Sequence, residues 1–181
     1  PDLFKKELQS VLRVIIWLAL PVTVVAFFAR GYVINFIVNG GDPYMASILA
    51  VMSLSILFRS IYFIAARSFY AQQDTKTPLY ISFFTIGMNI VLAVWFTLGL
   101  DMGVQGLAWA AVITAIVEVA ILFSLMSRRI DGLFDAPFVS AVTRMMSAAG
   151  FTALISYVMV SLFPLQADDE SFFATFPKFV L

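Results

Sequence analysis

Long apolar stretches alternate with short polar joints along this chain, and the joints are basic and acidic in turn. A helix rises about 1.5 Å per residue, so roughly 20 residues cross a hydrocarbon core of about 30 Å. The stretches that reach this length are 12–38, 44–66, 79–100, 104–127 and 138–163, and a sixth begins at 172. The pattern predicts an all-α, polytopic helical membrane protein with five complete transmembrane helices and the start of a sixth.

The charges of the joints predict the orientation of these spans. The leading segment and the second and fourth joints carry basic residues: Lys5, Lys6, Arg13, Arg67, Lys76, Arg128 and Arg129. The other joints carry acidic residues: Asp42, Asp101, Asp168, Asp169 and Glu170. Short cytoplasmic loops of membrane proteins are enriched in Lys and Arg. We therefore predict that the basic joints face the cytoplasm and the acidic joints face the outside.

Composition argues against several other classes of protein. Of the 181 residues, 62% are hydrophobic and 12% are charged, and the mean hydropathy is +0.98, unlike a soluble domain. Basic and acidic residues number 11 each, which gives no support for a nucleic-acid partner. The chain has no Cys and no His, so the commonest zinc ligands and the commonest general base are missing. We predict no cofactor, no metal site and no enzymatic activity.

The leading segment, residues 1–11, has the pattern of an amphipathic helix. Its apolar residues recur at helical spacing, at Leu3, Phe4, Leu8 and Val11. We predict that it lies along the membrane surface before the first span. Because the chain begins at Pro1 without an initiator Met and ends inside an apolar run, we also expect it to be a piece of a longer protein.

Two dipeptides predict where helices begin. Asp42-Pro43 and Thr77-Pro78 each combine an N-cap oxygen with a proline at the first helical position. We predict that the second and third spans begin at these prolines. The fourth span carries Gly106 and Ala110 at four-residue spacing, which is typical of closely packed membrane helices.

Ionisable residues at membrane depth are candidates for a functional site, because each is costly in hydrocarbon and normally faces a partner or water. Arg59 and Glu118 lie about 15 and about 14 residues into spans of the same direction, hence at similar heights. We predict that they pair, directly or through water, either as a static ion pair or as a gating element. Asn89 is expected to hydrogen-bond to a neighbouring helix, with an ion site as the alternative. Arg144 is expected to reach the lipid phosphates.

The second joint is the most distinctive stretch, RSFYAQQDTKTP at 67–78. Two further stretches accompany this string in a defined order and spacing. They are the proline-bearing LALPVTVVAFFARGYVINFIVNGG of the first span and the GVQGLAWA that opens the fourth. In these features the chain resembles the MurJ (MviN-type) lipid II flippases of bacterial peptidoglycan synthesis. The residues that carry the resemblance in the joint are Arg67, Phe69, Tyr70, Asp74, Thr75, Thr77 and Pro78.

The resemblance implies a larger transporter with fourteen spans in two six-helix lobes and a final pair. Residues 1–181 would form a partial membrane domain of its C-terminal lobe, with 67–78 as a cytoplasmic turn and 138–163 as one wall of a groove for a polyprenyl tail. It implies transport of lipid II, the lipid-linked peptidoglycan precursor, from the inner to the outer leaflet of the bacterial cytoplasmic membrane by alternating access. The implied partners are this precursor, membrane lipids and a coupling cation.

Other functions stay open at this point. A polysaccharide-lipid flippase or a multidrug/ion antiporter would belong to the same superfamily, although the 67–78 joint favours the peptidoglycan branch. An integral membrane enzyme would need catalytic groups clustered at one interface, and the chain offers no His for such a site. A scaffold that only packs against other proteins would not need Arg59 and Glu118 at membrane depth.

Overall fold

The computed structural model describes residues 2–38, 41–130 and 133–162, and the regular elements in these ranges are all helices. They are α1 (Asp2–Phe28), α2 (Arg30–Ile37), α3 (Pro43–Ala71), α4 (Lys76–Val94), α5 (Val104–Arg129) and α6 (Ala136–Leu162), and a π-helical turn, Trp95–Gly99, extends α4. Five helical stretches are long and apolar enough to cross a membrane: Leu3–Phe28, Pro43–Ala71, Lys76–Gly99, Val104–Arg129 and Ala136–Leu162. The predicted all-α membrane fold is confirmed for these five, and the sixth predicted span lies outside the described residues. The first span, predicted as 12–38, is not one helix, because α1 ends at Phe28 and α2 begins at Arg30.

The leading segment is not a separate surface helix, so that prediction is wrong. It forms the first turns of α1, which runs without interruption through Pro21 to Phe28. The reason is that the apolar face of the segment packs on protein. Leu8 and Leu12 are 6% and 0% exposed and belong to the main core of the bundle.

The two predicted helix starts have different outcomes. Asp42 caps α3 as predicted, because its Oδ1 accepts a hydrogen bond of 2.8 Å from the backbone N–H of Tyr44. Thr77 does not cap α4, which begins at Lys76. The carboxylate of Asp74 takes that role instead, because it accepts a 3.0 Å hydrogen bond from the backbone N–H of Thr77.

The helices pack in the order α6, α1, α3, α5, α4, each against the next. The main core lies between α1, α3 and α5, and its fully buried side chains include Leu12, Phe69, Leu122 and Met126. Near the N-terminus of α5, Gly106 is buried against the π-helical turn. A Cβ on Gly106 would lie 2.9 Å from the backbone carbonyl carbon of Phe96. This contact confirms the predicted role of a small residue in close helix packing.

The charged joints are sorted between the two ends of the bundle. Ion pairs join Lys5 to Asp135 at 3.6 Å and Asp74 to Arg129 at 2.6 Å. These contacts bring the leading segment and the second and fourth joints together at one end, which we call the basic end. The first and third joints meet at the other end, where a Cβ on Gly103 would lie 3.1 Å from the hydroxyl of Tyr44.

Candidate functional site

The turn between α3 and α4 has a defined hydrogen-bond pattern. The backbone N–H of Asp74 donates to the carbonyl of Phe69 at 3.0 Å, and that of Gln73 donates to the carbonyl of Tyr70 at 2.9 Å. Gln73 itself has a φ of 59°. Together these features form a Schellman motif, which ends a helix with one residue in the left-handed region. The motif reverses the chain and places Asp74 at the start of α4.

Asp74 connects this turn to the end of α5. Its Oδ2 accepts a hydrogen bond from the hydroxyl of Thr77 at 2.7 Å and lies 2.6 Å from Nη1 of Arg129. Nη2 of Arg129 donates to the Thr77 hydroxyl at 3.2 Å. The same guanidinium lies 5.1 Å from the ring centre of Phe69, which is fully buried beneath it. We call Phe69, Asp74, Thr77 and Arg129 the turn cluster.

The turn cluster keeps Asp74 ionised. The hydrogen bonds from the hydroxyl and the backbone N–H of Thr77, reinforced by the Arg129 guanidinium, lower the pKa of the Asp74 carboxyl from 3.8 to about 2. At neutral pH the carboxylate is therefore fully charged, and it can bind both Thr77 and Arg129. A carboxyl group with so low a pKa does not change its protonation state near neutral pH.

The remaining residues of the 67–78 string surround the turn cluster. Pro78 is buried, whereas Arg67, Tyr70 and Thr75 are exposed at the basic end. Sequence reasoning identified Asp74 and Thr77 but missed their partner, because Arg129 was interpreted only as a charge that orients the chain. Its position in the last turn of α5 was the available signal.

A second polar group fastens α1 to α6. The side-chain amide of Gln9 donates to the carbonyl of Leu133 at 2.8 Å and to Oδ1 of Asp135 at 3.2 Å. Asp135 also accepts from the backbone N–H of Phe138 at 3.2 Å, which caps α6, and pairs with Lys5. We call Lys5, Gln9 and Asp135 the docking cluster.

The charge of Asp135 is stabilised in the same manner as that of Asp74. Partial removal from water raises the pKa of the Asp135 carboxyl, but other contacts outweigh this effect. The hydrogen bonds from Gln9 and Phe138, together with the positive charge of Lys5, hold the pKa below its usual value. Both clusters at the basic end therefore contain an ionised carboxylate held by donors from more than one helix.

Glu118 lies within the bundle and contacts hydroxyl groups of α4. Its Oε1 accepts hydrogen bonds from the hydroxyls of Thr85 at 3.1 Å and Ser82 at 3.4 Å. The Ser82 hydroxyl is in turn 2.8 Å from the hydroxyl of Tyr62 on α3. Because Ser82 donates to Glu118, its oxygen is free to accept from Tyr62. The network thus joins α3, α4 and α5 at membrane depth.

The prediction that Arg59 and Glu118 pair directly is wrong, whereas a pair through water stays a prediction. Within the described part of the chain, the ion pairs are those of the two clusters at the basic end. Although α3 packs on α5, Arg59 is exposed and shares its helix face with Met52, Ile56 and Phe63, which are 46%, 37% and 60% exposed. The prediction compared the heights of the two residues but not their rotational positions around the helices.

The other two candidates in the spans lie apart from each other. The amide of Asn89 donates to the Thr114 hydroxyl at 3.2 Å, which confirms the predicted bond to a neighbouring helix. The Thr114 hydroxyl donates onward to the carbonyl of Ala110 at 2.7 Å. Arg144 is exposed on α6, and its contact with lipid phosphates stays a prediction. Asn89 and Glu118 therefore share the α4–α5 interface, while Arg59 and Arg144 lie on exposed faces.

Comparison with known proteins agrees with this architecture. Residues 1–176 match the family described as "Lipid II flippase MurJ". A relative from Rhizobium meliloti (strain 1021), named "Probable lipid II flippase MurJ", is 30% identical over 101 residues, an alignment that covers 55% of this chain and 18% of the relative. No solved structure matches the chain.

The family match extends over all five of the apolar helices. Helices of this length and composition in a family of lipid flippases indicate a multi-pass protein of the inner membrane. On the strength of a match that covers nearly its whole length, the chain belongs to the MurJ family of lipid II flippases.

Proposed function

We propose that this chain is part of a transporter that moves lipid II, the lipid-linked peptidoglycan precursor, from the inner to the outer leaflet of the bacterial cytoplasmic membrane. The observation that carries the proposal is the family match over residues 1–176. The name of the R. meliloti relative supports the same substrate. Membrane lipids surround the five apolar helices as solvent in this proposal.

The proposed mechanism is alternating access, in which helical units of the protein move relative to one another. Such a mechanism needs units that keep their own internal packing. The turn cluster joins the ends of α3, α4 and α5, and the docking cluster joins α1 to the start of α6. These contacts support a proposal in which the described helices move together as part of the C-terminal lobe.

The test uses the full-length protein in bacteria depleted of their own precursor flippase. Growth and the amount of lipid II that reaches the outer surface are measured together, the latter with a membrane-impermeant reagent. We expect the protein to restore both. If the protein is present in the membrane at the level of the host flippase and lipid II still stays in the inner leaflet, the proposed substrate is wrong.

The same cells distinguish the related functions. Export of a polysaccharide-linked lipid or of a drug, without movement of lipid II, would indicate another branch of the superfamily. Chemical modification of lipid II by the purified protein would indicate an enzyme. Collapsing the proton gradient and the sodium gradient separately identifies the coupling cation, because transport stops when the gradient that drives it is lost.

A further inference from the structure

An open apolar groove of about 320 Å³ lies between α1, α5 and α6 near the basic end. Its volume is at the lower end of the range of about 300–1,000 Å³ for small-molecule sites. Its walls come from three helices and the connection before α6, and include Ile16, Phe123, Phe134, Phe138 and Val142. Such a surface suits a hydrocarbon chain and offers almost nothing to a polar ligand.

Arg13 lies at the edge of this groove. Its guanidinium is 5.6 Å from the ring centre of Phe138, and Ile16 follows one turn later on the same face of α1. The Nε of Arg13 is buried, and no acceptor in the described residues reaches it. A buried donor without an acceptor costs free energy. Arg13 as a whole is half-buried, so the rest of its guanidinium stays open to a ligand beside the groove. The arrangement therefore favours a ligand that brings an acceptor to this part of the guanidinium and an apolar chain to the groove.

The charges nearby leave the positive charge of Arg13 uncompensated within the described chain. Lys5 and Asp135 of the docking cluster neutralise each other. Arg13 forms none of the described ion pairs. Glu7 is exposed six residues earlier, on a different face of α1. A ligand at this edge is therefore expected to carry negative charge.

The position of the site along the helices indicates where this ligand comes from. Arg13 lies beside Phe138, the third residue of α6, and hence close to the basic end of the bundle. The orientation predicted from the charged joints places that end at the cytoplasmic surface. At this level a guanidinium meets the phosphates of the inner leaflet, while the groove below it is at the depth of the acyl chains.

We propose that this groove binds an anionic phospholipid of the cytoplasmic leaflet. The lipid phosphate accepts hydrogen bonds from Arg13, and one acyl chain packs against Phe134, Phe138 and Val142. An arginine suits this role because its planar guanidinium binds phosphate with two parallel hydrogen bonds. The lipid holds α6 against α1 and α5 and is a fixed component of the protein rather than its cargo.

The test measures which lipids stay with the purified full-length protein after exchange into a mixture of phosphatidylglycerol and phosphatidylethanolamine. Native mass spectrometry reports the ratio of the two bound lipids. We expect Arg13→Gln to lower bound phosphatidylglycerol about fivefold, the effect of losing one basic contact at a membrane surface. Arg13→Lys should keep most of the binding. Equal binding by wild type and Arg13→Gln would overturn the proposal.

Arg30, the first residue of α2, provides a control arginine just beyond the opposite end of α1. Its guanidinium donates to the backbone carbonyl of Phe27 at 2.7 Å and lies 5.0 Å from the centre of the Phe27 ring. Arg30→Gln therefore removes one span-end arginine without touching the groove, and bound phosphatidylglycerol should not change. A loss as large as that of Arg13→Gln would mean that an arginine near either end of the bundle attracts anionic lipid, and would contradict a specific site.

A second variant blocks the groove and leaves Arg13 in place. Val142→Trp should fill it and lower bound phosphatidylglycerol, whereas Val158→Trp, at an exposed position nearer the other end of α6, should not.

The proposal would be wrong if the groove held either of two other occupants. One is another span of the full-length protein, which Val142→Cys would reveal by near-complete disulfide cross-linking to a cysteine on that span. The other is lipid II, which would displace phosphatidylglycerol competitively.

Discussion

Arg129 and Asp74 form an ion pair with 2.6 Å between Nη1 and Oδ2, although they are far apart in the sequence. Asp74 is the last residue of the Schellman motif of α3 and caps α4, while Arg129 is the last residue of α5. One contact therefore fixes three helix ends. Phe69 supports it from below, because this ring is fully buried and lies under the guanidinium.

Removing the arginine of this pair should loosen the basic end. In Arg129→Gln, the Asp74 carboxylate loses its cation and the Thr77 hydroxyl loses a donor, so we expect a lower melting temperature of the full-length protein in detergent. Arg128→Gln is the matched control, because Arg128 is exposed and lies one residue away. Equal melting temperatures for the two variants would show that the turn cluster does not stabilise the protein.

The contribution of Asp74 to stability should depend on pH only under strongly acidic conditions. Its pKa in the folded protein is about 2, below the ordinary value of 3.8. A lowered pKa stabilises the folded state above the ordinary value, and this stabilisation is lost as the pH falls toward the folded value. The difference in melting temperature between wild type and Asp74→Asn should be constant at neutral pH and shrink as the pH falls from 3.8 toward 2. A difference that is already lost at pH 6 would contradict this assignment.

Glu118 should be coupled energetically to Thr85 and not to Arg59. Hydrogen-bonded neighbours typically show coupling energies of about 0.5–3 kcal/mol in double-mutant cycles, whereas distant residues add within about 0.5 kcal/mol. We therefore expect coupling of that size between Glu118→Leu and Thr85→Val, and additivity between Glu118→Leu and Arg59→Gln. The free energy of unfolding in mixed micelles provides the measurement. Strong coupling between Glu118 and Arg59 would contradict this expectation, because it would indicate a direct ion pair that the structure does not contain.

A methyl group at Gly106 should separate α5 from the end of α4. Its Cβ would lie 2.9 Å from backbone and side-chain carbon atoms of Phe96, and overpacking of this kind costs about 1–3 kcal/mol. Gly87 is the matched control, since a Cβ there meets nothing within 4 Å. Gly87→Ala should leave the free energy of unfolding unchanged or raise it by up to about 1 kcal/mol through helix propensity. Equal effects of the two substitutions would argue against close packing at Gly106.

Sequence reasoning predicted the five long apolar helices of the described residues and the sorting of the joints between two ends, because both depend on local properties. It did not predict the break between α1 and α2. The length of an apolar stretch and the sign of a loop charge can be read without knowing which helices are neighbours. The cap at Asp42 is equally local. The bond between Asn89 and Thr114 followed from the rule that an amide at membrane depth needs a partner.

The errors concern relationships between helices. Arg59 and Glu118 have similar heights, but a helix turns about 100° per residue, and that rotation placed Arg59 on the exposed face of α3. The leading segment was assigned to the membrane surface because an amphipathic pattern does not reveal whether lipid or protein covers its apolar face. The partnership of Asp74 with Arg129 depends on α4 and α5 being neighbours, which no local pattern contains.

The charges of the joints predict that the basic end of this bundle faces the cytoplasm. Gln72 in the α3–α4 turn and Asp101 in the joint before α5 are both exposed and lie at opposite ends. Each is replaced by Cys in a full-length protein without other cysteines, and a membrane-impermeant thiol reagent is applied to intact cells. We predict that the cysteine at 101 reacts in intact cells and the one at 72 reacts only after permeabilisation; reaction of both from the same side would contradict the fold and the transport proposal together.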